Sequence, residues 1–408
     1  MKICILSMQR VNNFGSLLQA YSLKKILEEM GHTVFFIDIE KDKNNIIKIT
    51  KNDFKEEREE SEGLFSKIKK IDKYALNRIN IKRKAEVQDE KFEEFRRNVL
   101  NIVGDENNKK YDLCIIGSDE VFNCLTDSKW GFTTQLFGNV KQANKVITYA
   151  ASCGATKYEL LPLEVKDKIR QVFSEHISAF SVRDENTKKF VENLSDKNVT
   201  INLDPVVVGN FQHELERINN LDKKLPKRYC IVYSYYNRIH NRDEINAIKK
   251  FCKKEKMDIV AVGAPQMWIK KYLVLEPFEM LKVFQNAEFV ITDTFHGTIF
   301  ASKYSKKFAT IIRESNKNKL SDLLIRLNKS QHKVEEISDI YKIYNIQNDI
   351  AETNSIEEKE FLRTKQYLND NIGSENGDKM ICPKNKCTGC FASYNICPEN
   401  AIKMVEDD

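Results

Sequence analysis

Short apolar runs alternate along the chain with segments of helical period. The first run covers 3–6; Asn12-Asn13-Phe14-Gly15 follows, and from Ser16 the apolar residues Leu17, Ala20, Tyr21, Leu23, Leu27 and Met30 recur at helical spacing. Gly31 predicts the helix stop, and the β-rich stretch 33–39 predicts a second strand. Strand, helix and strand in succession predict a βαβ unit with a right-handed crossover over a parallel sheet. Further strands are predicted over 111–117, 146–151, 179–182 and 199–203, and Asp204-Pro205 predicts the close of this domain. A second series opens with a strand over 229–233. It continues with a helix near 243–254, a strand over 258–262, a helix near 277–286 and strands over 289–292 and 308–312.

Residues 41–110 break this alternation. Lys, Glu, Asn and Asp dominate there, with helical stretches predicted over 53–73 and 85–99, so the expectation is an inserted helical excursion with a solvated, charged face. After about Leu327 the chain turns polar, a helix is predicted over 356–369, and 371–377 reads as a linker. The expected class is α/β with two Rossmann-like domains. The first spans 1–208 and carries the insertion at 41–110, and the second spans 209–345; a helix and linker follow over 346–377, then a small cysteine-rich tail over 378–408. Ligands of such sheets bind beyond the carboxyl ends of the strands, so a cleft between the domains is the expected site.

Composition narrows the classes. The 408 residues are 41% hydrophobic and 31% charged, with a formal net charge of +6, which describes a protein with full-sized cores and no demand for nucleic acid. No apolar run approaches the roughly 18 residues that a bilayer-spanning helix needs. Met1 leads directly into a strand instead of a signal peptide, so a cytoplasmic location is expected. The small basic excess suits peripheral association with a membrane surface without deciding it. Of the ten cysteines, Cys4, Cys114, Cys124, Cys153, Cys230 and Cys252 are scattered, several in strand-like runs, and read as buried thiols.

Three loops at the ends of predicted strands carry the candidate chemistry. In Asn12-Asn13-Phe14-Gly15-Ser16, Asn13 and Gly15 are candidate substrate contacts, because glycine lets backbone approach a ligand and a helix N-terminus favours an anion; a tight strand-to-helix turn explains the same residues. In 117–123, Asp119 is a candidate general base beside the substrate-binding candidates Ser118 and Asn123, the alternative being a helix N-cap. In 291–298, His296 precedes Gly297 and Thr298 at the start of a helix, a place suited to proton transfer next to phosphate or carboxylate. The alternative there is a loop histidine satisfied by backbone.

Together these segments resemble the polysaccharide pyruvyl transferases. The resemblance runs from Met1 to about Leu327 and rests on 13–21, 117–123, Ser181-Val182-Arg183-Asp184, Leu203-Asp204-Pro205 and 292–298, in that order. It implies two Rossmann-like domains in an arrangement similar to GT-B glycosyltransferases. It also implies transfer of the three-carbon unit of phosphoenolpyruvate to a sugar of a surface polysaccharide or glycan precursor, which could be lipid-linked, forming a ketal and releasing phosphate. By resemblance His296 is the acid/base candidate, while Arg183, Arg313, Gly297 and Thr298 are candidates for holding the anionic donor, with a strand-end salt bridge as the alternative for Arg183. The chain departs from the pattern at Thr294, where some members carry arginine, so either part of the donor's anion binding comes from elsewhere or the donor differs. The rival readings are a GT-B-type glycosyltransferase using a nucleotide-sugar, a redox-linked iron–sulfur protein with a non-catalytic scaffold, and a binding protein without turnover.

The tail looks like one half of a bacterial ferredoxin. In the usual run C-x₂-C-x₂-C-x₃-C-P the third position is cysteine, and here Ser393 occupies it, between Cys390 and Cys397. Cys382, Cys387, Cys390 and Cys397 together could hold a [4Fe–4S] cluster or zinc, or the module could be degenerate and hold neither. Pyruvyl transfer is not a redox reaction. A cluster would therefore serve structure, regulation or a redox partner.

Overall fold

The computed structural model describes residues 1–42, 71–124, 132–218, 221 and 225–373, the side chains of 71–79 excepted. One compact unit runs from Met1 to Lys365, and in the second, which begins at Gln366, residues 366–372 complete a helix. The four tail cysteines, the predicted linker from residue 374 and the predicted helical stretch up to residue 70 lie outside the described residues.

The first sheet contains β1 (Lys2–Leu6), β2 (Thr33–Phe36), β3 (Tyr111–Ile116), β4 (Ala143–Thr148), β5 (Ile177–Val182) and β6 (Val199–Ile201). The second contains β7 (Tyr229–Ser234), β8 (Asp258–Gly263), β9 (Lys271–Tyr272), β10 (Phe289–Thr292), β11 (Phe308–Ile311) and β12 (Lys333–Val334). Both sheets are parallel throughout, in the orders β2-β1-β3-β4-β5-β6 and β12-β11-β10-β7-β8-β9. This is the expected class of two Rossmann-like domains. Helices on both faces explain the uninterrupted apolar runs: Ile3, Cys4, Ile5 and Leu6 are all buried, as is every residue of β7. The six described cysteines are free and buried.

The strand order reverses between β1 and β3 in one sheet and between β7 and β10 in the other. At such a switch point the loops leave in opposite directions and open a crevice, so the loops after these four strands are where a ligand has room.

The helices of the first lobe are α1 (Phe14–Glu29), α2 (Ile71–Asn98), α3 (Leu163–His176), α4 (Glu185–Glu192) and the short α5 (Pro205–Val208) and α6 (Gln212–Glu216). The second lobe adds α7 (Arg242–Lys254), α8 (Pro277–Asn286), α9 (Phe295–Tyr304), α10 (Lys317–Arg326) and α11 (Ile340–Ile343), and α12 covers Ile350–Ile372. Asp204-Pro205, expected to close the first domain, starts a short helix: Asp204 caps α5 by accepting from the Val206 N–H at 3.0 Å, with proline at the first helical position.

The charged side chains of the excursion face solvent as expected, Lys82, Arg83, Glu86, Glu90 and Glu94 among them, but the other side of the helix is buried. From Asn80 onward α2 buries Ile81, Phe92, Phe95 and the whole Arg96 side chain, and Phe92 packs edge-on against Phe14. Arg96 donates to the carbonyls of Gln9 (2.7 Å) and Val11 (3.0 Å) in the first lobe. Gln88 donates to the Leu275 carbonyl at 2.8 Å and accepts from the Leu275 N–H at 2.9 Å in the second lobe. The helix thus straps one lobe to the other, which the composition hid because its binding groups are polar. Among the described residues, no helix is long and apolar enough to cross a membrane.

Candidate active site

The site is built where the carboxyl ends of the two sheets face each other. From the first lobe come the start of α1, the 117–123 loop after β3, Arg183 after β5 and Asp204 after β6. The second lobe supplies the loop after β7, Asp293 after β10, the start of α9, and Arg313 after β11.

Its centre is Asp204, a fully buried carboxylate. One oxygen is used by the α5 cap. The other, Oδ2, accepts from Ser118 Oγ (2.9 Å) and Arg183 Nη1 (3.1 Å) and lies 3.4 Å from His296 Nε2. Burial on its own would raise the Asp204 carboxyl, but the imidazole of His296, then the guanidinium of Arg183 and the Val206 N–H, outweigh it and hold the group well below the usual carboxylate range. The Arg183 guanidinium is itself buried and lies over the Phe295 ring at 4.1 Å, so the pair and the ring fix one another across the lobes. Its Nε has no hydrogen-bond partner.

His296 is 12% exposed, and its Nε2, the nitrogen facing Asp204, sits at an angle that falls short of a hydrogen bond. The opposite edge of the ring rests on the first turn of α1. A Cβ on Gly15 would lie 2.3 Å from both Cγ and Nδ1 of His296, closer than real side chains come. Gly15 therefore admits the histidine itself, where a ligand was expected. Among the described residues nothing hydrogen-bonds Nδ1.

Beside this centre, Asp119 adopts φ of +80° and accepts from Ser16 Oγ at 2.7 Å and, through its other oxygen, from the Glu120 N–H at 2.9 Å. No helix starts in this loop, so the N-cap alternative for Asp119 does not apply. Glu120 accepts from Lys319 of α10 across the cleft and from Asn123 at 2.8 Å. Against its burial, these groups and Arg183 bring the Glu120 carboxyl down to about 2.

Several residues expected to meet substrate do other work. Asn13 caps α1 by accepting from the Ser16 N–H at 2.7 Å. Ser118 is buried, its hydroxyl directed to Asp204 and the Ala150 carbonyl. The Gly297 N–H is taken by Thr294 Oγ1 at 3.0 Å, and a Cβ on Gly297 would meet Thr292 Oγ1 at 2.2 Å, so this glycine seats α9 on the sheet. Thr298 is buried, donating to the Thr294 carbonyl at 2.9 Å. Thr294, at the place of the expected arginine, is thus the N-cap of α9. Asn123 bridges Glu120 and Thr156 Oγ1, and Arg183 forms the buried salt bridge that was its alternative reading. Arg313 is gripped by both oxygens of Glu244 and by Asp293 Oδ2 at 3.2 Å.

Residues the motifs did not single out as site groups complete the cleft: Asp204, Ser16, Lys319, Tyr235, Arg238 and Asp293. Ser234 Oγ donates to Asp293 Oδ1 at 2.6 Å, and Arg238 Nε lies 3.6 Å from Asp293 Oδ2. The signal for Asp204 was its Asp-Pro step after a strand, and for Asp293 its place within the histidine loop. Among the described residues no group of three or more metal-ligating side chains is assembled.

Fold and site together define a two-lobed parallel α/β protein with a histidine–aspartate pair where the carboxyl ends of the two sheets face each other. The chain belongs to the polysaccharide pyruvyl transferase family, whose model matches residues 13–316. No curated protein matches the sequence. Solved structures of similar fold include S. aureus MnaA with UDP (TM-score 0.47, 11% identity, 93% of this chain and 99% of that one). Another is the UDP-GlcNAc 2-epimerase of Methanocaldococcus jannaschii (0.46, 12%, 90% and 100%). A third is the Streptomyces sp. SF2575 glycosyltransferase SsfS6 with thymidine diphosphate (0.42, 11%, 89% and 96%).

Proposed function

We propose that the protein transfers the pyruvyl unit of phosphoenolpyruvate to a carbohydrate acceptor, lipid-linked or free, with His296 as the group that moves the proton. The observation that carries this reading is the His296–Asp204 pair at the mouth of both sheets, with Nε2 turned to a buried carboxylate and Nδ1 left for chemistry.

The reaction adds a proton to the methylene carbon of the enol, so that the neighbouring carbon, now cation-like, is attacked by a sugar hydroxyl. That hydroxyl loses its proton, phosphate departs, and a second hydroxyl closes the ketal on the same carbon. Of the two hydroxyl protons, one balances the new methyl group and the other leaves with phosphate. Asp204 orients the imidazole, Nδ1 exchanges the proton, and Asp119, an acceptor with Ser16 already on one oxygen, takes the acceptor's hydroxyl.

A triply ionisable donor needs cations, and each cation described in the cleft already faces a carboxylate. Arg183 is buried with Asp204, and Arg313 is held by two acids. Lys319 and Arg238, each facing a single carboxylate, are the cations that can exchange Glu120 and Asp293 for the donor's phosphate and carboxylate. Cys382, Cys387, Cys390 and Cys397, as ligands of a [4Fe–4S] cluster or zinc, stand outside this reaction; iron and zinc content with an anaerobic visible spectrum distinguishes the two from an empty tail.

Thermal unfolding of the intact chain with phosphoenolpyruvate and with a panel of nucleotide-sugars tests the donor. Selective binding to the native state must raise the midpoint. A rise with phosphoenolpyruvate supports the reading, and a rise with a nucleotide-sugar alone replaces it with glycosyl transfer.

A further inference from the structure

Among the described residues with large exposed apolar side chains, the aromatic ones are neighbours in the sequence: Tyr235 is 51% exposed and Tyr236 is 63%. Both follow β7 directly, at the switch point of the second sheet, next to Ser234 and its bond to Asp293. Their exposure is not the looseness of a surface loop. The fully buried Gln266 donates to the Tyr235 carbonyl at 2.7 Å and accepts from the Ile239 N–H. The Asn237 N–H donates to the Pro265 carbonyl, the Arg238 N–H donates to the Tyr235 carbonyl at 3.1 Å, and Trp268 Nε1 donates to the Ile239 carbonyl at 2.9 Å. Two aromatic rings are held out by a loop that is pinned at both ends, which spends bonding capacity to keep apolar surface in water.

We propose that Tyr235 and Tyr236 form the platform on which the acceptor's pyranose ring lies, so the site's second ligand is a neutral, polyhydroxylated ring. A pyranose has an apolar face of C–H groups that matches an aromatic ring and a rim of hydroxyls that needs acceptors. The facing lobe brings the carboxylates of Glu120 and Asp119 close enough to act on Tyr235, and these are the candidate acceptors for the rim. Arg238 lies over the Tyr235 ring at 5.4 Å and Lys319 is paired with Glu120, so this subsite adjoins the donor's cations, as transfer between two bound ligands requires. The Tyr235 hydroxyl, raised above the ordinary tyrosine range by protein crowding and then by Glu120 and Asp119, against the opposing charge of Arg238, stays protonated and can donate to the acceptor. Tyr236 donates weakly to Met267 Sδ at 3.8 Å, which steadies the outer ring.

This inference rests on the transfer reading for the word acceptor, and its test is separable from that reading. Saturation-transfer NMR with methyl glycosides of gluco, galacto and manno configuration is run on the intact wild type, Tyr235→Ala, Tyr236→Ala and Tyr235→Phe. In parallel, phosphoenolpyruvate is titrated by thermal shift. At least one glycoside is expected to receive saturation from the wild type, with its affinity about tenfold weaker in each alanine variant and near wild type in Tyr235→Phe. The phosphoenolpyruvate shift is expected unchanged in Tyr236→Ala and Tyr235→Phe, which keep the ring beside Arg238. Equal saturation in wild type and alanine variants, or none from any glycoside in the wild type, overturns the platform even where phosphoenolpyruvate binds. Loss of glycoside contact on alanine substitution without any phosphoenolpyruvate shift keeps the platform and overturns the donor.

Discussion

His296 Nε2 and Asp204 Oδ2 lie 3.4 Å apart although one residue belongs to the second lobe and the other to the first. The pair exists only when the lobes face each other, so the proposed acid/base role of His296 depends on how the lobes are held. His296→Gln is therefore expected to lower the transfer rate by about 10²–10⁴ while keeping the phosphoenolpyruvate thermal shift. Asp204→Asn is expected to lower the rate as well and to destabilise by about 3 kcal/mol, because it leaves Arg183 buried beside a neutral group. Since the two act as a unit, the double variant should be little slower than the slower single one. Additive losses in a steady-state comparison of the four proteins would show that Asp204 does not work through His296.

Gly15 gives a sharper test of the same geometry. Alanine is the better helix former at this position of α1, yet its Cβ would occupy space held by the imidazole, 2.3 Å from Cγ and Nδ1. Gly15→Ala is expected to displace the ring and cut kcat at least about tenfold, with the midpoint of unfolding changed by far less than a buried clash between backbones would cause. A fully active Gly15→Ala would mean that the position of the ring is not critical.

What could be read in advance followed from physics that acts locally. The strands were legible because both faces are buried, which leaves runs such as Tyr229-Cys230-Ile231-Val232 apolar throughout. His296 was legible because strand, loop, histidine and helix are contiguous. Asp204 was not, since its role depends on a partner far along the chain. Ser118, Gly297 and Thr298 looked like ligand groups because small polar residues suit both tight packing and binding; burial and committed hydrogen bonds decide between them. The solvated charged face of the insertion was legible, but its buried side was not. Gln88 and Arg96 of α2 bury polar side chains against backbone groups of the two lobes, beside the buried Ile81, Phe92 and Phe95, so part of the attachment lies outside any count of apolar residues.

That attachment makes a prediction of its own. Gln88→Met keeps volume and helix propensity but strands the Leu275 N–H and carbonyl in a buried place. The expected cost is about 2 kcal/mol, in line with unsatisfied buried groups, read from the midpoint of urea unfolding at unchanged slope. A shift under a few tenths of a kcal/mol would return α2 to the role of an excursion that the lobes do not need.

The last expectation concerns acid. His332 is fully buried, stacked on Phe308 at 4.0 Å, with Nδ1 2.9 Å from the Phe308 carbonyl and Nε2 without a partner. Burial pushes the ring down to about 4 from 6.5; the bond to Phe308 opposes this and the charge of Lys329 adds to it. Between those two values the unfolded chain binds a proton that the folded one refuses. Stability is therefore complete above about pH 6.5 and falls as the pH drops, by roughly 3 kcal/mol once pH 4 is reached. His332→Phe loses the bond to the Phe308 carbonyl, which costs the same at every pH, and it removes the proton that the slope counts. Unfolding free energies measured from pH 7 to pH 4 should therefore be lower for the variant at neutral pH and flatter toward acid. Parallel curves for the two proteins would assign the acid sensitivity to other groups.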